Sequence, residues 1–233
     1  MARRALPVDL GGIETPPFAG FGPDAFRFLE ELAAHQSRDW FLANKARYES
    51  EVRSPLGALV VDLSAALAKR NIPLRGNPTT SLFRINRDVR FSKDKSLYKT
   101  HAGAVLSRDG RKMEPPILYI HIAAEECFTA AGFYHPEPDA LAAIRRTIVD
   151  RPSVWRAIAA ALDQAGLALS QDDKLVRSPK GFEGVDDPEI ADALKLKSFV
   201  VRRDLTRQDV GHAALVADLA EFAESAAPLF RLA

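Results

Sequence analysis

The sequence predicts an α+β fold in which a central antiparallel sheet, a meander of about four to six strands, packs against N-terminal and C-terminal helices. Three observations carry this. Apolar residues recur at helical spacing up to about residue 70, the pattern changes to alternation between residues 83 and 133, and helical spacing returns from residue 138. Helices, then strands, then helices suit a layered α+β chain rather than a wound βαβ sheet.

Gly22-Pro23-Asp24 reads as a helix start, because proline in the first turn forfeits no backbone bond, and Phe26, Leu29, Leu32 and Ala33 follow at helical spacing. A second start lies at Ser37 and Asp39, with the stripe Trp40, Phe41, Tyr48 and Val52 behind it. Pro55 interrupts or kinks that stripe before Leu56, Leu59, Val60, Leu63 and Leu67 carry a helix to about Arg70. Strands are expected at residues 83–91, 98–106, 117–123 and 128–133, with Asp109-Gly110 as a turn between the second and third. Helices are expected at residues 138–149 and 152–165, each opened by proline, then a short hairpin at 167–176, a short helix after Asp187-Pro188 and a strand at 199–203. Thr206 and Asp209 have the spacing of a capping box for a last helix reaching about Ala226. Residues 1–20, rich in Pro and Gly, read as an extended tail ordered only where it docks, and residues 21–233 as a single α+β domain.

The 233 residues hold 32 basic and 31 acidic side chains, so no global field draws the chain onto nucleic acid or anionic lipid. The one cysteine, Cys127, excludes an internal disulfide and a cysteine-based zinc site within the chain. No apolar segment of a secretory signal follows Arg3 and Arg4, and the longest apolar stretch, residues 57–68, is broken by Asp62 and too short to span a bilayer. A cytoplasmic protein without membrane attachment is expected. The five histidines have no metal spacing, and Walker A, complete dinucleotide and G-x-S-x-G motifs are missing, so neither a metal nor a cofactor is expected.

The chemistry concentrates in residues 84–101. Six basic side chains, Arg84, Arg87, Arg90, Lys93, Lys95 and Lys99, stand there against Asp88 and Asp94, leaving 26 basic and 29 acidic residues elsewhere. Read as a hairpin with residues 92–97 as its loop, the segment pairs Phe91 with Tyr98, Val89 with Thr100, Arg87 with Ala102, Ile85 with Ala104 and Phe83 with Leu106. That register gives one mostly apolar face on which Arg87 is the odd residue, in need of a carboxylate or carbonyls, as a structural ion pair or as a ligand contact, because breaking a buried pair costs about 3–5 kcal/mol. On the other face Arg90 opposes Lys99, and Asp88 opposes His101 as a catalytic acid/base pair or as plain cross-strand stabilisation.

The run from Phe83 through Arg84-Ile85-Asn86-Arg87-Asp88-Val89-Arg90-Phe91-Ser92-Lys93-Asp94 to Lys95, continued by Tyr98-Lys99-Thr100-His101, resembles the signature of domain-of-unknown-function family 2461, an uncharacterised bacterial and fungal family. Trp40-Phe41 with Asn44-Lys45 and Tyr48, Gly132-Phe133 with Pro136, Pro179-Lys180-Gly181-Phe182, Leu194-Lys195 and Lys197-Ser198-Phe199 extend the resemblance over nearly all of residues 18–230. Asn86 stands where the family pattern has an aromatic, and Leu97 where a proline often precedes the Tyr-Lys pair. The resemblance implies no activity.

The residues themselves point to a pocket for a small phosphorylated or carboxylated ligand, bound by Arg84, Arg87, Arg90, Lys93, Lys95 and Lys99, with Arg as a fork and Lys as a point charge. Tyr98 and the Asn44-Lys45 pair are candidate borders of that pocket, and Lys180 beside the flexible Gly181 is a weaker anion contact. Two rivals use the same segment: a nucleic-acid-binding module with Trp40 or Tyr98 stacking on bases, and a non-catalytic interaction scaffold. The sequence assigns no reaction and no oligomeric state.

Overall fold

Proline sets the helix starts of this chain, since it needs no amide partner in a first turn. Pro23 opens α1 (Pro23–Ala34), Pro138 opens α5 (Pro138–Asp150), Pro152 opens α6 (Pro152–Gln164) and Pro188 opens α7 (Pro188–Leu194). The computed structural model describes residues 16–88, 90, 93–112 and 114–233. Ser37 caps α2 (Arg38–Ala43) by accepting the Trp40 amide, and α3 (Lys45–Tyr48) runs through a π-helical turn, Glu49–Arg53, into α4 (Ser54–Lys69). Pro55 has no amide to give the preceding turn, and the wider π turn falls there rather than a break.

Four strands, β1 (His101–Ser107), β2 (Ile117–Ala123), β3 (Cys127–Phe133) and β4 (Phe199–Leu205), pair antiparallel in the order β1-β2-β3-β4. The expected α+β meander is therefore present. Strand alternation divides the sheet into two unlike faces. Ala104, Leu106, Leu118, Ile120, Ile122, Ala131, Phe133, Phe199 and Val201 are sealed in the main core, where α4 packs on β1 and α9 (Leu215–Ala226) on β3. Val105, Ile117 and Val200 are also buried but lie outside that core, on the second face with Tyr119, His121, Phe128, Ala130 and Arg202. Gly132 has φ +130° and holds β3 close to β4, since a Cβ there would fall 2.0 Å from the Phe199 carbonyl oxygen.

The segment expected as a first strand at residues 83–91 forms only isolated bridges, Leu82 with Ala104 and Asn86 with Tyr98. The bridges are four residues apart on one side and six on the other, so the β1 side carries two extra residues and the regular register is lost. Asn86, not Phe91, faces Tyr98, and Leu82, not Ile85, faces Ala104. Val89, Phe91 and Ser92 lie outside the described residues, as do residues 1–15 of the expected tail. At the opposite edge the expected hairpin at residues 167–176 runs beside β4 instead, with bridges Leu169 to Val201 and Lys174 to Leu196.

Thr206 and Asp209 do form a capping box, but on the four-residue α8 (Arg207–Val210); the chain turns at Gly211 before α9 and a closing 3-10 turn, Ala227–Leu232. Ahead of α1, Phe18 and Phe21 are buried against each other, their amides donating to Asp62 Oδ2 and the Val210 carbonyl. Among the described residues no helix is long and apolar enough to cross a membrane.

Candidate functional site

Outside β1, the Leu82 to Asn86 segment leaves a cleft of about 590 Å³. Phe83 and Arg84 enter it from that segment, Lys99 from the approach to β1, and Lys112 from the connection between β1 and β2. Both ammonium groups stand 5.0 Å from the centroid of the Phe83 ring, and Lys112 also donates to the Leu82 carbonyl. Arg53 and Asp88 line the cleft too, but Arg53 pairs with Glu49 and Asp88 with Arg90. Among the described residues, Arg84, Lys99 and Lys112 form no salt bridge, although the charge of Arg84 is felt at Asp88. Burial, then the neighbouring Arg84 and Arg87, hold the Lys99 ammonium below the ordinary lysine range; burial, then Lys99 and Arg84, do the same to Lys112. Cations that depress one another in this way are stabilised by an anion placed among them.

Phe83 is also one wall of a second cavity, of about 790 Å³, on the bare face of the sheet. Its floor is Ile117, Ala130, Gly132 and Val200, and Tyr119 and Phe128 rise from it. Tyr119 meets Phe83 edge to face at 6.1 Å and leans over Gly103, where a Cβ would come within 3.1 Å of the Tyr119 hydroxyl. A stack crosses the sheet beside it: the Arg202 guanidinium 3.8 Å from the centroid of Phe128, Phe128 4.6 Å from His121, His121 4.3 Å from His101. Burial chiefly, then His101, brings His121 down to about 4 despite Glu126, so its ring is neutral at pH 7. Burial pushes Tyr119 up to about 12, and its hydroxyl lies 3.0 Å from His121 Nδ1. On the far rim His135 Nε2 lies 3.4 Å from Asp173, which Lys197 also grips at 2.6 Å.

The expected site residues are only partly brought together. Arg84 and Lys99 share the cleft, while Arg87 is half-exposed and paired with Asp94 at 2.7 Å, not set into the core. Asp88 accepts from Arg90 at 2.6 and 2.9 Å, which holds its carboxyl below the usual range, and His101 stacks on His121 instead; the shifted register keeps the expected acid/base partners apart. Lys93 and Lys95 are exposed in the loop. Tyr98 is buried against Phe41 at 4.5 Å with its amide donating to Gln36, so its ring belongs to the core and cannot stack on a base. Asn44 spends its amide on the Trp40 carbonyl, and Lys45 is exposed on α3. Lys180 is exposed, and the Gly181 amide beside it donates to Glu183. Lys112 lies beyond the Asp109-Gly110 turn, where nothing in the sequence ties it to the basic run. Tyr119 and His121 were signalled by the alternation of residues 117–123.

Fold and site together define an α+β protein built on a four-stranded meander, with a cation-rich cleft at its β1 edge and an aromatic cavity on its open face. The chain belongs to the conserved hypothetical protein family DUF2461, whose model matches residues 24–231. No curated protein and no solved structure matches it.

Proposed function

We propose that the protein binds a small phosphorylated or carboxylated ligand in the cleft of Arg84, Lys99 and Lys112. The observation that carries this reading is the convergence of Lys99 and Lys112 on the Phe83 ring, with Arg84 lining the same cleft and none of the three in a salt bridge among the described residues. A merely solvated charged edge would let long side chains spread apart; here two ammonium groups are held against Phe83 at a cost in their own protonation. A cytoplasmic setting goes with this reading, Cys127 being a buried free thiol.

Thermal melts in low salt test it, with inorganic phosphate and a tricarboxylate as probes. A ligand at a hundred times its Kd stabilises by about 2.7 kcal/mol, which for a chain of this size raises Tm by about 5–11 °C. The rise should shrink in Arg84→Ala and vanish in the Lys99→Met, Lys112→Met double variant. If neither probe moves the melt of the wild-type protein, the reading is wrong.

A further inference from the structure

We infer that the ligand is an aromatic phosphate monoester, its phosphate in the basic cleft and its flat ring in the cavity over the open sheet face; this rests on the anion-binding reading above. The two spaces share a wall. Phe83 lines both, with Lys99 and Lys112 5.0 Å from its centroid in one and Tyr119 6.1 Å from it in the other. A molecule seated beside Phe83 therefore meets cations at one end and aromatic edges at the other.

The cavity has the form of a slot for a ring. Small residues, Ala130 and Gly132, make the floor, and Phe83, Tyr119 and Phe128 make walls against which a planar group stacks. At about 790 Å³ it lies in the range of small-molecule sites. Val105, Ile117 and Val200 are buried there although they lie outside the main core, so the floor is apolar without being part of the helix-packed interior.

Charge fixes the direction. Phe83 borders β1, whereas Asp172 and Asp173 reach the cavity from the segment bordering β4, across the width of the sheet. Asp173 is held by Lys197, but Asp172 accepts from Ser170 and forms no salt bridge among the described residues, so it is the acid that disfavours an anion at that rim and can accept hydrogen bonds from the amino or hydroxyl edge of a ring system. The three cations at the opposite end favour phosphate over a single carboxylate. A monoester brings about 1.5–2 negative charges at pH 7, closer to what Arg84, Lys99 and Lys112 present.

Calorimetry on the full chain separates the parts, using inorganic phosphate, phenyl phosphate, purine and pyrimidine nucleoside 5′-monophosphates and the matching nucleosides. Stacking of one ring predicts that at least one aryl or nucleoside phosphate binds about tenfold or more tighter than inorganic phosphate and than its own dephosphorylated form. Ala130→Leu, which fills the floor from the open face, should abolish that advantage and leave phosphate affinity unchanged; Lys112→Met should weaken both. Equal affinity for inorganic and aromatic phosphates, or an advantage that survives Ala130→Leu, overturns the inference while the anion site stands. No binding of any phosphate removes both.

Discussion

Phe83 and Tyr119 meet edge to face with their ring centroids 6.1 Å apart, and the contact forms across Gly103, whose missing side chain leaves room for the Tyr119 hydroxyl. The basic cleft and the sheet cavity are joined through this one contact. In Gly103→Ala the new methyl would stand 3.1 Å from that hydroxyl and 3.3 Å from Tyr119 Cε2, with Phe83 Cδ2 at 3.4 Å, so the Tyr119 ring must give way by a few tenths of an ångström. Overpacking of this kind costs about 1–3 kcal/mol. Urea unfolding should show the loss, and Tyr119 fluorescence or ring-current shifts should change with it; a variant as stable as wild type with unmoved ring signals would contradict the geometry.

The neighbours of His101 give a second prediction. Burial, then Lys99 and Arg87, hold its imidazole below the ordinary histidine range. Lys99→Met should therefore raise the His101 pKa measured by proton NMR. Asp88→Asn should leave it where it is, because the Asp88 carboxylate faces Arg90. A His101 pKa that drops on removing Asp88 would restore the acid/base pair that the register separates.

His121 makes stability depend on pH. Its pKa falls from an ordinary 6.5 to about 4 in the folded protein. Between those values the unfolded chain binds a proton that the folded chain refuses, so stability is full above about pH 6.5 and is lost as pH falls toward 4. In His121→Phe, which keeps a ring between His101 and Phe128, thermal melts across that window should lose Tm less steeply than wild type. An unchanged slope would mean that His121 is not the titrating group.

Arg87 should matter little to folding. Its pair with Asp94 is solvent-accessible, with 34% and 53% of the two side chains exposed, and exposed pairs are screened by water and salt. Arg87→Ala is expected to shift the urea midpoint no more than an ordinary surface substitution does. A loss on the scale of a broken buried pair would place the side chain deeper than the bridge at Asn86 allows.

Elements whose local pattern and tertiary role agree were legible in advance. Residues 117–123 alternate Leu118, Ile120 and Ile122 with Ile117, Tyr119 and His121, and β2 occupies that span. Pro23, Ser37, Pro138, Pro152 and Pro188 mark helix starts for reasons internal to a turn. Residues 83–91 alternate just as cleanly, yet alternation says nothing of the two extra residues on the β1 side, and those decide which residue faces which. The site inherits the same limit. Arg84 and Lys99 were visible as part of a basic run, but Lys112 reaches them only through the fold, and the stack from Arg202 to His101 gathers one side chain from each of four strands.

The burial of Phe18 and Phe21 bears on how the protein is best produced. The family match begins at residue 24, and a chain cut there would lack both rings and the two amide contacts that tie this segment to α4 and to the end of α8. Burying one phenylalanine contributes about 1.5–3 kcal/mol, so losing both rings would remove about 3–6 kcal/mol, a large share of the margin of about 5–15 kcal/mol by which domains stay folded. Expression limits drawn from the family boundary would thus yield an unstable product, whereas a start at or before Pro16 retains the clasp, and affinity tags belong upstream of it.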